Sequence, residues 1–437
     1  MTVRRQVHLA ARLPGSGDTA VWTDPRSGSR TAFATVEQPA RTAERGLFDF
    51  MLLTEGLRLP EHKGRIHDLH ATGWPESVTV LNALAGVTQR LGLAATVHAA
   101  FNEPYELARR LATLDHLSGG RAAWHVETSS DAFTGANFRH GGRVEHADPY
   151  GRAAEFVAVA RQLWDSWTAD GVSRPFAHQG RHFDIAGEFG LPRSPQGHPV
   201  VIRAGDSEQD RESAAASADV LLARHRPPAA GRSFRADIHR RLAAYGRAPQ
   251  DLKVMPAVTV VLGDTAAEAQ ERAVEIRRQQ ITPRGALHTL ERVWGRDLSG
   301  HDPDGPLPDA DPVPGRGTSE DRTRLTLAEK WRALAEEKGL SIRETVIELR
   351  GRQSFIGTPE AVAAELEAYV REDAADGFVL LPHLAPGGLE EFVDRVVPLL
   401  QERGVFRTEY RGTTLRSHLG LPDPREKAER TGKEPIA

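Results

Sequence analysis

Not one cysteine occurs in the 437 residues. Structural disulfides, thiolate-held zinc, iron–sulfur clusters and a thiol nucleophile are excluded together. An excess of charge is missing too: 56 Lys and Arg stand against 60 Asp and Glu, a formal net charge of −4. Nothing announces a nucleic-acid surface or a basic membrane patch. No stretch approaches the roughly 18 apolar residues that a membrane span needs, and the opening MTVRRQVHLAARLPGSG lacks the apolar core of a secretion signal. The expectation is a cytoplasmic chain that works on small molecules. Its length exceeds the roughly 150 residues of a usual domain, yet α/β barrels run past about 250 as one, so a single large domain over 1–437 with insertions is expected.

What is present is organised around Ala108 to Ser129, ARRLATLDHLSGGRAAWHVETS. Ala108, Leu111, Ala112, Leu114 and Asp115 recur at helical spacing, Ser118-Gly119-Gly120 breaks the pattern, and Arg121 to Thr128 then reads as extended. This is the αβ half of a βαβ unit. Side chains alternate along a strand, so Trp124 and Val126 point one way and His125 and Glu127 the other. In a parallel α/β barrel the outer strand face is apolar to receive helices, which sends the polar pair into the lumen near a carboxyl end, where chemistry sits. A lumenal pair that merely satisfies itself is the alternative.

The same alternation runs through the rest of the chain. Gln6 to Leu13, Leu47 to Glu55 and Leu91 to Ala99 read as strands, with Glu55 at a strand end and Thr96 and His98 sharing one face. Glu37 to Arg45 and Ser77 to Thr88 read as helices, and Pro104 suits the first turn of the next. His62, His67 and His70 fall in a polar loop at spacings that suit no zinc site, so solvated histidines are expected there. Ser129 to Pro149 is Gly-rich and polar, a long loop over the site, followed by an amphipathic helix over Tyr150 to Trp167. Val200 to Ala204 leads into Gly205-Asp206-Ser207 at a helix start, where unpaired N–H groups and the helix dipole suit an anion; Asp206 or Ser207 as a plain N-cap fits equally. Strand and helix pairs continue through Asp219 to Ala223, Phe234 to Tyr245, Leu252 to Leu262 and Ala266 to Gln279, which argues for a parallel sheet. An irregular insertion is expected around 282–324, then helices over Leu325 to Lys338 and Ser341 to Arg350, another opening at Thr358, a last strand at Gly377 to Pro382 and a closing helix over Leu389 to Arg403. From about 404 a polar extension is expected to wrap the outside or a partner.

Five segments carry a resemblance: AERGLFDF, NEPYELARRLATLDHLSGGRAAWHVETS, YGRAAEFVAVARQLWDSW, PRSPQGHPVVIRAGDSEQDRE and DGFVLLPHLAPGGLEEFVDRVVPLLQERGVFRTEYRGTTLRSHLGLP. In these the chain resembles, nearly end to end, the flavin-dependent monooxygenases typified by nitrilotriacetate monooxygenase component A, within the bacterial luciferase-like superfamily. The resemblance implies a (β/α)8 TIM barrel, reduced FMN delivered by a separate NAD(P)H-dependent flavin reductase, dioxygen as co-substrate, and a homodimer or homotetramer. It places FMN contacts on Glu55, Thr96, Ser129, Tyr150 and Ala204, Gly205, Asp206 and Ser207, the last four at the phosphate, with His98 and His146 at matching or adjacent positions. The family usually has Asp where Glu55 stands, Asn where His125 stands, Val where Glu127 stands, and often a polar or histidine residue at Ser130. His125, Glu127 and His98 are the expected catalytic residues, no metal is expected, and a two-component FMN monooxygenase acting on a small organic substrate is the leading expectation. A deazaflavin-dependent oxidoreductase on the same barrel and a non-catalytic flavin-binding protein are the alternatives.

Overall fold

In a computed structural model of the chain, eight strands pair in parallel and in sequence order, the last returning to the first as a closed barrel. They are β1 (His8–Leu13), β2 (Phe50–Leu53), β3 (Gly92–His98), β4 (Ala122–Glu127), β5 (Val200–Ala204), β6 (Val220–Arg224), β7 (Lys253–Val258) and β8 (Gly377–Leu380). Between successive strands lie α1 (Phe33–Arg45), α2 (Ser77–Ala85), α3 (Pro104–Ser118), α4 (Pro149–Asp165), α5 (Glu208–Ser217), α6 (Pro228–Ala244) and α7 (Pro359–Arg371). This is the (β/α)8 TIM barrel that the sequence led us to expect. The structure describes residues 5–13, 21, 24–57, 61–62, 65–66, 75–128, 137–138, 148–168, 171–313, 318–351 and 353–424. Ser129, Ser130, His146, His67 and His70 lie outside the described residues, as do the side chains of residues 61–62 and 65–66.

The organising stretch folds as its pattern dictates. Pro104 opens α3, and Gly119, at φ 69°, ends it in the left-handed conformation that a side chain resists. Asp115, wholly buried, accepts from the Ala122 N–H at 2.9 Å and from Gln196 Nε2 at 2.6 Å, tying the helix end to the start of β4 and to the approach to β5. Trp124 faces outward, its ring 6.0 Å from Phe156 and 6.1 Å from Trp164 of α4. Trp164 in turn donates to the Ala108 carbonyl at 3.0 Å, so one tryptophan pair fastens β4, α4 and α3 together. Full burial of a large apolar side chain contributes about 1.5 to 3 kcal/mol.

The inward faces make a second core. Ala10, Phe50, Leu52, Ala94, Ala123, Val200, Ile202, Val220, Met255 and Val379 cluster in the lumen together with Leu415, Leu419 and Leu421. The C-terminal extension, as far as Pro424, therefore does not simply wrap the outside, as its polarity suggested. Its three leucines, set among polar residues, enter the barrel at the strands' amino ends, where Leu415 N–H donates to the Gly120 carbonyl at 3.0 Å. Two buried ion pairs fix it there: Arg407 on Asp49, and Arg416 on Asp219 at 2.9 Å. Burial alone would raise the Asp49 carboxyl, but Arg407 and His8 outweigh it and hold the group at about 2.

Other departures have local causes. The closing helix is two, Glu390–Arg395 and Val397–Glu402, because Pro398 has no N–H to continue the first. An antiparallel hairpin, Phe176–Gln179 with Asp184–Gly187, stands in a stretch left without an element. Contacts divide the chain into two compact units, Met1–Val260 with Pro359–Ala437, and Val261–Thr358. Within the second, the stretch expected to be irregular from 282 holds the helix Pro283–Trp294. Thr282 caps it, accepting from Gly285 N–H at 3.1 Å, and Trp294 packs 6.1 Å from Trp331. The strand expected to run to Leu262 stops at Val258, and Val260–Leu262 pairs instead with Phe355–Gly357.

Replacing Arg416 by Met strips Asp219 of its closest cation while leaving it buried. Urea unfolding is expected to show a loss of about 3 to 5 kcal/mol, the range for breaking one side of a buried pair, and Arg416→Met with Asp219→Asn to recover part of it. An unchanged midpoint in the single variant would show that Arg161 and Arg247 suffice to neutralise Asp219.

Candidate functional site

Period-two alternation carries the lumen face up each strand from its apolar floor to its carboxyl end. Above Ala10 comes Arg12, above Leu52 comes Thr54, above Ala94 come Thr96 and His98, and above Ala123 come His125 and Glu127. The β3–β4 register sets Thr96 beside His125 and His98 beside Glu127. A hydrophobic barrel thus ends in a polar rim, and three residues expected to be catalytic share it.

His125 is buried, and its surroundings decide its charge. Burial drives its proton affinity down most strongly; the Glu127 carboxylate opposes this, while Arg203, His98 and Arg12 reinforce it, leaving the imidazole at about 4. At neutral pH it is uncharged, with one nitrogen able to donate and the other to accept. His98 approaches the Glu55 carbonyl through Nε2 at 3.3 Å, and its ring lies 6.4 Å from Phe101. Phe101 stacks on Phe138 at 4.6 Å, and Asn137 donates to the Leu57 carbonyl at 3.1 Å. These two described residues of the long loop after β4 therefore lie against the ends of the β2 and β3 segments.

The expected cofactor-contacting residues divide into two groups. Thr96 donates to the Leu53 carbonyl at 2.9 Å, and the Glu55 carboxylate accepts from Ser77 N–H at 3.1 Å and Ser77 Oγ at 2.7 Å, so both bind neighbouring elements. Tyr150, at the start of α4, reaches the other group at the start of α5: its hydroxyl donates to Asp210 Oδ1 at 2.8 Å. Burial and that bond raise the phenol above its ordinary value. Ser207 caps α5 in a reciprocal box, its Oγ accepting from Asp210 N–H at 3.1 Å while Asp210 Oδ2 accepts from Ser207 N–H at 3.1 Å. The plain-cap alternative is present, and the helix start still directs N–H groups outward beside Ala204 and Gly205. Asp206 pairs with Arg226 at 2.8 Å and Arg224 at 3.2 Å.

Three further residues lie at this end of the barrel, Arg203 on the outward face of β5 with Val201. Arg12 and Arg203 bear on His125, and Asp210 joins Tyr150 to Ser207. Two were visible as signals: an arginine inside the apolar run VVIRA is out of place unless partnered, and Ser207-x-x-Asp210 has the spacing of a capping box. Among the described residues, Thr54 Oγ1, His98 Nδ1, His125 Nδ1, and Arg203 Nε and Nη2 are buried with no hydrogen-bond partner. A buried polar group left so costs roughly 1 to 3 kcal/mol, and those at the barrel mouth fit a ligand rich in hydrogen-bonding atoms.

Three comparisons bear on what that ligand is. The profile described as "Luciferase-like monooxygenase" matches residues 18–377. N-acetyl-S-(2-succino)cysteine monooxygenase of Bacillus subtilis (strain 168) is 37% identical over 442 residues, covering 96% of this chain and 98% of that protein. Nitrilotriacetate monooxygenase component A of Aminobacter aminovorans is 39% identical over 411 residues, covering 88% and 89%. Among solved structures, riboflavin lyase, crystallised with modified FMN and riboflavin, superposes with a TM-score of 0.78 at 26% identity, covering 96% of this chain and 97% of that one.

Because the folded chain holds His125 at about 4 rather than the ordinary 6.5, the unfolded chain takes up its proton first as pH falls. The stability that His125 contributes when neutral is present above 6.5 and is lost between 6.5 and about 4. His125→Asn is expected to reduce the acid-side decline of the unfolding free energy across that window; a decline identical to wild type would place the imidazole in a solvated setting. Coupling between the two lumen residues is expected as well: His125→Asn with Glu127→Val should melt higher than Glu127→Val alone, and strictly additive effects would show that the pair is uncoupled.

Proposed function

The chain belongs to the luciferase-like monooxygenase family and is an FMN-dependent monooxygenase, and from that premise we propose that it is the oxygenating component of a two-component system. It takes reduced FMN from a separate NAD(P)H-dependent flavin reductase in transient encounter, works on a small organic substrate, and assembles as a homodimer or homotetramer. The observation that carries the reading is the cluster of unpartnered buried atoms of His98, His125 and Arg203 at the carboxyl end of the barrel, next to a helix start.

The residues present fit the cofactor. Ala204, Gly205 and Ser207, with Tyr150 beside them, would hold the phosphate, since the first N–H groups of a helix and its dipole favour an anion. Asp206 would steady that turn through Arg226. Thr96, His98 and Glu55 would flank the ring, with Ser129 and His146 assigned by resemblance only. Bound in its reduced form, FMN supplies the two electrons with which dioxygen delivers one atom to the substrate and the other to water.

The chain's own part is to bind, orient and keep water out. His125, uncharged, can make one hydrogen bond to the ligand through Nδ1 without adding a charge to a low-dielectric lumen. Glu127, across the register from His98, offsets the Arg203 charge. The Phe101–Phe138 stack supplies an apolar wall on one side of the mouth.

Anaerobic fluorescence titration is expected to show tighter binding of reduced than of oxidised FMN, and the protein to purify without stoichiometric flavin, as a cofactor that shuttles requires. Oxygen uptake with reduced FMN across a panel of organic substrates would then identify what is oxygenated. A protein that purifies stoichiometrically yellow, or that prefers a deazaflavin, would refute the proposal.

A further inference from the structure

At the start of α5 one carboxylate occupies the position that an incoming anion would take. Asp210 Oδ2 accepts from Ser207 N–H at 3.1 Å and from Ser207 Oγ at 2.7 Å, and Oδ1 accepts from the Tyr150 hydroxyl at 2.8 Å. These are the donors assigned above to the phosphate. The turn is closed tightly around it: a Cβ at Gly205 would come 2.3 Å from Asp210 Cγ, so glycine there is what admits the carboxylate. A second, independent feature at this place points to an external anion. Arg203, 3% exposed, stands close enough to Tyr150 and Asp210 for its charge to act on both, yet its Nε and Nη2 have no hydrogen-bond partner among the described residues.

Resting on the flavin reading of this site, we propose that Asp210 is an internal stand-in for the phosphate and sets how loosely the protein holds FMN. A phosphate monoester carries about −1.5 to −2 charges at neutral pH. To reach Ser207 and Tyr150 it must displace a carboxylate that remains on the same helix turn, and the two anions then share Arg203. The carboxylate returns to its three donors when the cofactor departs, which keeps α5 capped in the empty protein. A phosphate-free flavin meets none of this opposition. The residue thus lowers affinity for FMN in particular and favours release, as suits a component that receives its flavin afresh.

The test is anaerobic titration of wild type, Asp210→Gly and Asp210→Asn with reduced FMN and with reduced riboflavin, which lacks the phosphate. Circular dichroism checks that α5 and the barrel persist; Asp210→Asn keeps an oxygen able to accept from Ser207 N–H and so preserves the cap without the charge. Both variants are expected to tighten FMN roughly five- to thirty-fold, the span of charge effects at a partly buried helix start, and to leave the riboflavin Kd unchanged. An FMN-to-riboflavin affinity ratio equal to wild type in both variants would overturn the proposal while leaving the flavin reading intact. A gain in Asp210→Gly alone would also overturn it, since bulk and not charge would then be at work. Failure of wild type to bind either flavin would sink the flavin reading and this inference with it.

Discussion

Everything in this molecule follows from the two faces of a barrel strand. In β4, Trp124 packs on Phe156 and Trp164 outside the barrel while its neighbour His125 is buried in the lumen. A slip of one residue would put the imidazole among the helices and the indole in the lumen, so the register is enforced by the burial of a large ring on one side and of small and aliphatic side chains on the other. The lumen floor is closed by Leu415, Leu419 and Leu421, which leaves its polar residues only the carboxyl end. The site is therefore where the apolar filling of the barrel stops.

Charge is placed with the same economy. At the amino ends, Arg407 and Arg416 meet buried carboxylates and fasten the C-terminal extension, so those arginines are spent on architecture. At the carboxyl ends the balance differs: Arg203 keeps unpartnered donors, and His98 and His125 each keep a ring nitrogen without a partner. Protein interiors rarely leave such atoms orphaned.

The start of α5 shows how an internal group can resemble what it awaits. A capping box and an anion site use the same N–H groups, so the serine that reads as a phosphate contact is, without the phosphate, a cap. Of the alternatives left even by the tripeptide Gly205-Asp206-Ser207, the structure holds the cap; the same donors would serve an external anion, because they are indifferent to which oxygen accepts from them.

While the barrel class came from the family resemblance, the sequence by itself determined the alternation of strands and helices, hence a parallel sheet, the face shared by His125 and Glu127 and the place of the helix start at Ser207. Each rests on a local rule: side-chain period, helix stop signals and turn chemistry act over a few residues and need no partner. The helix Pro283–Trp294 was legible too, from Thr282-Pro283 and Gly295, but the Pro- and Gly-rich residues that follow obscured it. Tertiary structure alone decided that Leu415, Leu419 and Leu421 of the polar C-terminal extension enter the lumen, that the charge of Arg203 of β5 acts on His125 of β4, and that Asp210 meets Tyr150. Those are meetings between residues far apart in the chain, or choices between partners of equal local merit. Burial and charge settle them only once the barrel has closed.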